Sequence, residues 1–306
     1  MNAGKYILLL LVLGSRVALS AQDLEPRYLS MMPVKGNFIV ASYAYSAGNI
    51  LLDNTLPIED LDASIHSLVA GYARSFKLFR QLAKFDAVVP YSFGSWEGIV
   101  NQVDSSTQRN GFGDPMFRMS VMLIGGPALG PAEYVSHEFK KFKLGVQFRV
   151  RPPMGKYDPD KFINLGLNRW AFKVGVGASY QLHKLIFEGS LNCWLFTPNA
   201  NFYGGNSLKQ HPLGSMQIHG TYVFKRGLWL AASFGGSLFG EVSLNDEQYK
   251  NRQKNTRFGL AFAIPIAKGN GIKIAYTSGV STRYGANFSS IILAYQRMWF
   301  SKQRAR

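Results

Sequence analysis

The sequence is poor in three features that define common protein classes. It has one cysteine among 306 residues, which excludes a disulfide framework and a zinc site built from cysteines. Past its N-terminus it has no apolar run of about 18 residues, which excludes a helical membrane protein. Charged residues make up only 17% of the chain, against roughly 25% in a typical soluble domain. Aromatic residues, by contrast, reach 14%, and a chain this apolar is not disordered.

The N-terminus has the features of a secretory signal peptide. Lys5 precedes the apolar stretch Tyr6–Leu13, and small residues at Ala18 and Ser20 mark a cleavage site close after them. A buried strand or a short helix is the alternative interpretation of this stretch. We therefore expect residues 1–20 to be a signal peptide, so that the mature protein leaves the cytoplasm.

From Gly36 onward, apolar and polar residues alternate with a period of two, which indicates strands with one apolar and one polar face. In the clearest segment, Lys141–Arg151, the polar positions are cations, glycine and glutamine. Ordinary strands have about 5–6 residues, whereas a strand that crosses a membrane needs about 9–11. The segments found here are of the longer kind: residues 36–46, 63–76, 82–94, 112–124, 139–151, 169–181, 185–196, 214–224, 228–239, 255–266, 271–281 and 287–300.

Short connections between these segments alternate with longer ones, as in outer-membrane barrels with short periplasmic turns and longer outer loops. In lipid, only helices and closed barrels pair every backbone N–H and C=O. We therefore predict an all-β, transmembrane antiparallel β-barrel of about twelve strands over residues 36–300. An N-terminal periplasmic segment, residues 21–35, would precede it, and a basic C-terminal tail, residues 301–306, would follow. A secreted β-sandwich with shorter strands is the alternative.

Two finer expectations accompany the barrel. One connection on the short side, Gly125–Glu138, is longer than the others and is expected to hold a small helix at Ala132–His137. Aromatic residues near strand ends are candidates for the girdles that mark the membrane interfaces. These candidates are Tyr43, Tyr45, Tyr91, Trp96, Trp170, Tyr180, Trp229, Tyr276 and Trp299.

Six short motifs are specific enough to suggest a family. They are Gln22–Arg27, Gly111–Pro115, Gly155–Pro159, Asn164–Trp170, Lys225–Trp229 and Gly279–Gly285. They are similar to motifs of a bacterial family of outer-membrane transporters named for the meta-pathway of phenol degradation. The resemblance implies an outer-membrane β-barrel that takes up small, often aromatic or hydrophobic compounds.

These motifs lie at predicted rims and turns, so they say little about a substrate. We assign six residues to a rim motif: Gly113, Asp114, Pro115, Asn168, Arg169 and Trp170. We favour a structural role at Gly113–Pro115, because proline is tolerated at the start of a strand and aspartate can bond nearby backbone.

The polar face of the strands should form the barrel interior. A Lys or Arg on the lipid face would cost about 2–4 kcal/mol near the bilayer midplane. The lumen-lining candidates are Lys84, Asp86, Lys143, Gln147, Arg149, Lys173, Glu188, Asn192, His219, Arg257 and Lys273. Either these cations line a water-filled path that favours anions, or cations and carboxylates pair across the lumen and fill it. The size of the barrel does not decide between the two. If the path is open, we expect residues 21–35 or an inward loop to narrow part of the lumen.

We therefore predict an outer-membrane channel or transporter that takes up small hydrophobic or aromatic compounds through a cationic-lined lumen. A non-transporting structural or adhesive barrel is the alternative. A barrel lipid hydrolase is a weaker one, because His219 has only Ser190 or Asn192 on its predicted neighbouring strand. We expect no enzymatic activity.

We expect neither a metal nor a cofactor, since Asp158-Pro159-Asp160 lacks the spaced acids of a calcium loop. The expected location is the bacterial outer membrane. The expected partners are outer-membrane lipids and lipopolysaccharide, the barrel-insertion machinery and a small-molecule substrate of unknown identity. Loss of Lys5 and Arg16 with the signal peptide would lower the formal charge from +16 to +14. This excess does not indicate nucleic-acid binding in a chain that is secreted and has no nucleic-acid-binding motif.

Overall fold

The computed structural model describes residues 24–51, 58–100, 102–248 and 251–301. The predicted signal peptide and residues 302–306 of the tail lie outside these ranges. The strands are β1 Gly36–Leu51, β2 Ile58–Leu78, β3 Gln81–Val100, β4 Val103–Phe112, β5 Met116–Ile124, β6 Phe142–Arg151, β7 Ala171–Leu182, β8 Leu185–Phe196, β9 Asn199–Phe202, β10 Asn206–Gln210, β11 Leu213–Lys225, β12 Leu228–Phe239, β13 Val242–Leu244, β14 Glu247–Gln248, β15 Gln253–Ala267, β16 Asn270–Thr282 and β17 Gly285–Phe300.

Helix α1, Pro131–Ser136, lies in the connection where a helix is predicted, and a 3₁₀ turn spans Tyr203–Gly205. Proline is favoured at the start of a helix, and the Glu133 side chain accepts a hydrogen bond from the Gly130 N–H at 2.9 Å. In the part of the chain that the structure describes, no helix is long and apolar enough to cross a membrane.

The predicted barrel is confirmed. Its wall is one antiparallel sheet of 13 strands, closed where β1 pairs with β17 from Gly36 opposite Phe300 to Leu51 opposite Gly285. Strands β4 and β5 share one place in the wall, because β3 pairs with β5 along its first half and with β4 along its second half. The 13 strands thus give twelve positions around the barrel, as the alternation in the sequence predicts.

The outer face of the barrel is an exposed apolar belt. Leu191 on β8 is 64% exposed and Ile218 on β11 is 53% exposed, although both are large and hydrophobic. The girdle candidates Trp170 and Tyr180 are likewise exposed. The assignment of Trp96 to a girdle is wrong. It is 1% exposed and points inward, because its position on β3 has the parity of the lumen face.

Parts of two connections predicted as loops are strands. Residues 47–51 belong to β1 and residues 58–62 to β2, whereas residues 95–100 belong to β3 and residues 103–111 to β4. Strands β2 and β3 thus reach 21 and 20 residues. Along β4 the residues Ser105–Gln108 are polar on both faces, so the alternation that marks the other strands is missing there. Strands β9, β10, β13 and β14 form a second, four-stranded sheet from two other connections. We call the end with these longer connections the loop end, and the opposite end the turn end.

Candidate functional site

The lumen contains a cavity of about 390 Å³ towards the loop end, which we call the chamber. Its wall includes six buried apolar side chains, each from a different strand. They are Ile65, Ala171, Trp194, Leu213, Ala275 and Phe288. Leu165 from the connection between β6 and β7, together with Phe202 and Leu208 from the second sheet, covers it. A cavity with this lining suits a small apolar molecule.

The cover is fastened to the wall by Asp114. This residue is 1% exposed and lies in the gap between β4 and β5. Its carboxylate accepts hydrogen bonds from the backbone N–H groups of Gly155 and Leu167, both at 2.8 Å, and forms a salt bridge with Arg151 at 3.2 Å. One buried carboxylate thus joins the two ends of the connection that covers the chamber to the last residue of β6.

The other rim-motif residues also lie at the loop end. Asn168 donates to the Asn199 side chain at 2.9 Å, and the Trp170 N–H donates to Thr197 at 3.0 Å. Arg169 is buried and its guanidinium lies 4.6 Å from the centre of the Phe196 ring. Gly113 donates its N–H to the carbonyl of Pro90 on β3 at 3.0 Å, and Pro115 directly precedes β5.

The structure describes the N-terminal segment from Leu24 onward. Its first described residues lie inside the barrel, where Leu24, Glu25 and Pro26 form the floor of the chamber. Glycines of the wall make room for it, since a Cβ atom at Gly177 would overlap the Tyr28 hydroxyl group. Glycine contributes neither an apolar nor a polar side chain to the alternation. The alternation alone therefore does not predict where this segment packs.

Polar contacts hold this segment in place. Lys84 donates from its ammonium group to the carbonyl of Tyr28. The Arg27 N–H donates to the Glu188 carboxylate at 2.5 Å. Both wall residues are among the predicted lumen-lining candidates, and the structure uses them to bind the protein's own chain.

A row of charges crosses four neighbouring strands beneath the chamber. Asp86 on β3 is opposite Arg118 on β5, which is opposite Arg149 on β6, which is opposite Lys173 on β7. Like charges directly opposite one another destabilise a sheet. The Glu25 carboxylate offsets this repulsion, with one oxygen 2.8 Å from Arg118 and the other 2.6 Å from Arg149.

The charge of Glu25 depends on these cations. Burial alone would raise the pKa of its carboxyl group, but the charges of Arg149, Arg118 and Lys173 more than offset burial and hold that pKa below its ordinary value. Asp86 is bound to the same Arg118 guanidinium at 2.8 Å. Cations and carboxylates therefore pair in this row, and one of the carboxylates comes from outside the wall.

The remaining lumen candidates lie at separate places in the barrel and do not form one cluster. Gln147 donates to Asn192 at 2.9 Å, and buried Lys143 lies nearer the turn end of β6. On the other side of the barrel, Arg257 donates to Thr277 at 3.0 Å, and Lys273 lines the chamber with it.

His219 does not contact Ser190 or Asn192. Its Nδ1 atom lies 2.8 Å from the Ser233 hydroxyl on β12, and the pair is buried in the lumen. Its register partner on β8 is Glu188, whose carboxylate binds the Arg27 N–H. This arrangement differs from a Ser–His pair presented to lipid.

The lumen-lining candidates predicted from the sequence do not include Arg118 and Glu25. Arg118 shares the parity of Ser120 on a predicted strand, so the alternation does identify it. Glu25 has no comparable signal, because it lies in an irregular segment whose place in the lumen depends on the whole barrel. The chamber was missed for the same reason, since connections distant in sequence complete it.

Comparison with known proteins agrees with the fold. The family described as "Putative MetA-pathway of phenol degradation" matches residues 42–293. The chain is similar to the COG4313 outer membrane channel from Pseudomonas putida F1, with 18% identity and a TM-score of 0.76 over 90% of this chain and 100% of that one. It is also similar to the β domain of the Bordetella autotransporter BrkA, with 11% identity and a TM-score of 0.52 over 87% of this chain and 100% of that one. None of the curated proteins compared with the chain matches it significantly.

Proposed function

Since the chain belongs to the family described as "Putative MetA-pathway of phenol degradation", we propose that it is an outer-membrane channel for uptake of small hydrophobic or aromatic compounds. The observation that carries the proposal is the mostly apolar chamber inside a closed barrel.

The dimensions of the chamber support a small aromatic ligand. Binding pockets for small molecules have volumes of about 300–1,000 Å³, and an apolar cavity of about 150 Å³ suffices to bind benzene. The chamber, at about 390 Å³, has room for a substituted single ring. Trp194 and Phe288 line the chamber, and aromatic side chains pair favourably with such a ring.

The positions of the cations support the proposal that the cationic lining binds the polar end of the ligand. Arg118, Arg149 and Lys173 lie below the chamber, while Arg257 and Lys273 belong to its wall. A compound with an apolar ring and a polar end would thus meet cations both in the chamber wall and in the row below it. We propose that these cations guide the polar end along the lumen.

The barrel is proposed to act as a transporter in the outer membrane and not as an enzyme. The one Ser–His contact noted above is buried against the wall under the N-terminal segment, away from lipid. The adhesive alternative would be favoured by large projecting loops. Here the connections that carry Leu165 and Phe202 fold over the chamber, and the part that extends outward is the paired strands β2, β3 and β4.

Lipids, lipopolysaccharide and the barrel-insertion machinery stay proposed partners. Exposed cations are concentrated at the turn end, where they favour contact with lipid phosphates: Lys35, Arg74, Lys77, Arg80, Lys140, Lys141, Lys184, Lys225, Arg226, Lys268 and Arg297. Mass spectrometry of lipids that co-purify with the protein tests this contact. Fewer anionic lipids should be retained by the double variant Lys225→Gln/Arg226→Gln.

The uptake proposal is tested in proteoliposomes whose outer leaflet contains lipopolysaccharide, with radiolabelled benzyl alcohol as the probe. Vesicles with the protein should take up benzyl alcohol faster than vesicles without it. A hydrophilic polyol of similar volume serves as the control and should enter much more slowly. Equal uptake of benzyl alcohol with and without the protein would refute the proposal.

A further inference from the structure

The Glu25 carboxylate occupies a site that the barrel wall builds without it. Arg118 and Arg149 come from adjacent strands and face each other in register, so their positions are fixed by the sheet. Glu25, in contrast, belongs to a segment that precedes the first strand and is held by contacts to side chains of the lumen. The two arginines are therefore held in place by the sheet. The Glu25 carboxylate is held by its segment, which can move relative to the sheet.

The geometry is that of a receptor for a carboxylate. Each arginine contacts a different oxygen of the Glu25 carboxylate, at 2.8 and 2.6 Å, and Lys173 extends the row of cations on the next strand. Charge-assisted hydrogen bonds of this kind are about twice as strong as neutral ones. In the wall itself, this row therefore contains three cations and one carboxylate, Asp86.

The site adjoins the chamber. Glu25 lines the chamber floor, and the Lys173 ammonium group lies 5.5 Å from the ring centre of Trp194 in the chamber wall. An aromatic carboxylate could thus place its ring in the chamber and its carboxylate between the two arginines. A neutral aromatic compound would fill the chamber alone.

We propose that Arg118 and Arg149 form a binding site for aromatic carboxylates, and that Glu25 occupies this site as an internal competitor. This inference rests on the proposed uptake of aromatic compounds and adds a substrate class to it. The incoming carboxylate takes the place of Glu25 on the two arginines, which releases the floor of the chamber. Binding and release of the floor are therefore coupled.

The test is calorimetric titration of the purified protein with benzoate, with benzyl alcohol as the neutral analogue. Glu25→Gln removes the competing charge and should bind benzoate about tenfold or more tightly than the wild type. Benzyl alcohol should bind both proteins equally. Adding Arg149→Gln to Glu25→Gln should abolish the gain, and adding Arg118→Lys in its place, which keeps the cation, should lose part of it.

Glu188→Gln is the matched control. It weakens the same N-terminal segment through the Arg27 N–H but keeps the competing charge of Glu25, so benzoate affinity should rise much less than in Glu25→Gln. If Glu188→Gln raises benzoate affinity as much as Glu25→Gln does, the gain comes from loosening the segment and the proposed site is refuted. Heat-modifiable migration on a gel confirms that each variant is folded.

The outcomes separate the two proposals. If vesicles take up benzyl alcohol but Glu25→Gln binds benzoate no better than the wild type, the carboxylate site is wrong and the uptake function stands. If benzyl alcohol uptake does not depend on the protein, the uptake function itself is wrong. A benzoate affinity that rises in Glu25→Gln and falls again in Glu25→Gln/Arg149→Gln supports the site.

Discussion

Replacing Asp114 by alanine should release the connection that covers the chamber. The change removes the acceptor of two backbone N–H groups and the carboxylate bound to Arg151, whose side chain is 6% exposed. Removing one partner of a buried ion pair costs about 3–5 kcal/mol. Taking about 3 kcal/mol for the detachment of this connection, its open population should rise roughly 100-fold, since about 1.4 kcal/mol corresponds to a factor of ten.

Limited trypsin digestion of the folded protein measures this opening. Lys156 and Lys161 lie in the connection and are exposed, and cleavage of a transiently open segment follows its open population. Cleavage there should accelerate by about two orders of magnitude in Asp114→Ala. Asp114→Asn keeps one acceptor oxygen and should fall between Asp114→Ala and the wild type. Asp160→Ala, at an exposed acid of the same connection, should leave the rate unchanged. Equal rates for Asp114→Ala and the wild type would refute the anchoring role.

Two further predictions concern the N-terminal segment and are measured as conductance in planar bilayers. Because the pKa of Glu25 is lowered in the docked state, docking is favoured above the ordinary pKa of a glutamate and is lost only when the pH falls through the lower, docked value. Conductance should therefore stay constant from pH 7 to pH 5, and a rise within this range would contradict the ion pairing. Gly177→Val should displace Tyr28 and raise conductance, whereas Gly220→Val, where a Cβ meets open space, should not. Equal conductance of the two valine variants would show that the segment does not narrow the lumen.

The wall of the barrel could be predicted from the sequence because its signal is local. Each membrane-crossing strand between Phe142 and Phe239 shows the alternation. The two-residue turns that begin at His183 and Arg226 lie where the alternation breaks off. The extension of β2 and β3 beyond the membrane could not be predicted, since residues there no longer need an apolar face. The length of β2 and β3 is set by their pairing with neighbouring strands. The sequence of a single strand does not show this pairing.

The site was predictable only where it belongs to the wall. Arg149 and Lys173 follow from parity, and the register that makes them neighbours follows from the barrel. Glu25 and the chamber depend on segments without periodicity, which pack against the wall through contacts far apart in sequence. A pattern within one segment carries no information on such contacts.

The most direct test of passage through the chamber is to block the chamber and measure uptake. Ser290 is buried and lines the chamber, whereas the native Cys193 is on the opposite, outward parity of the wall. Uptake of labelled benzyl alcohol is measured in lipopolysaccharide-containing vesicles before and after reaction with a methanethiosulfonate, for Ser290→Cys in a Cys193→Ser background and for the wild type. If solutes pass through the chamber, the reagent sharply slows uptake by the Ser290→Cys protein and leaves the wild type unaffected. Unchanged uptake by the fully modified Ser290→Cys protein would contradict passage through the chamber.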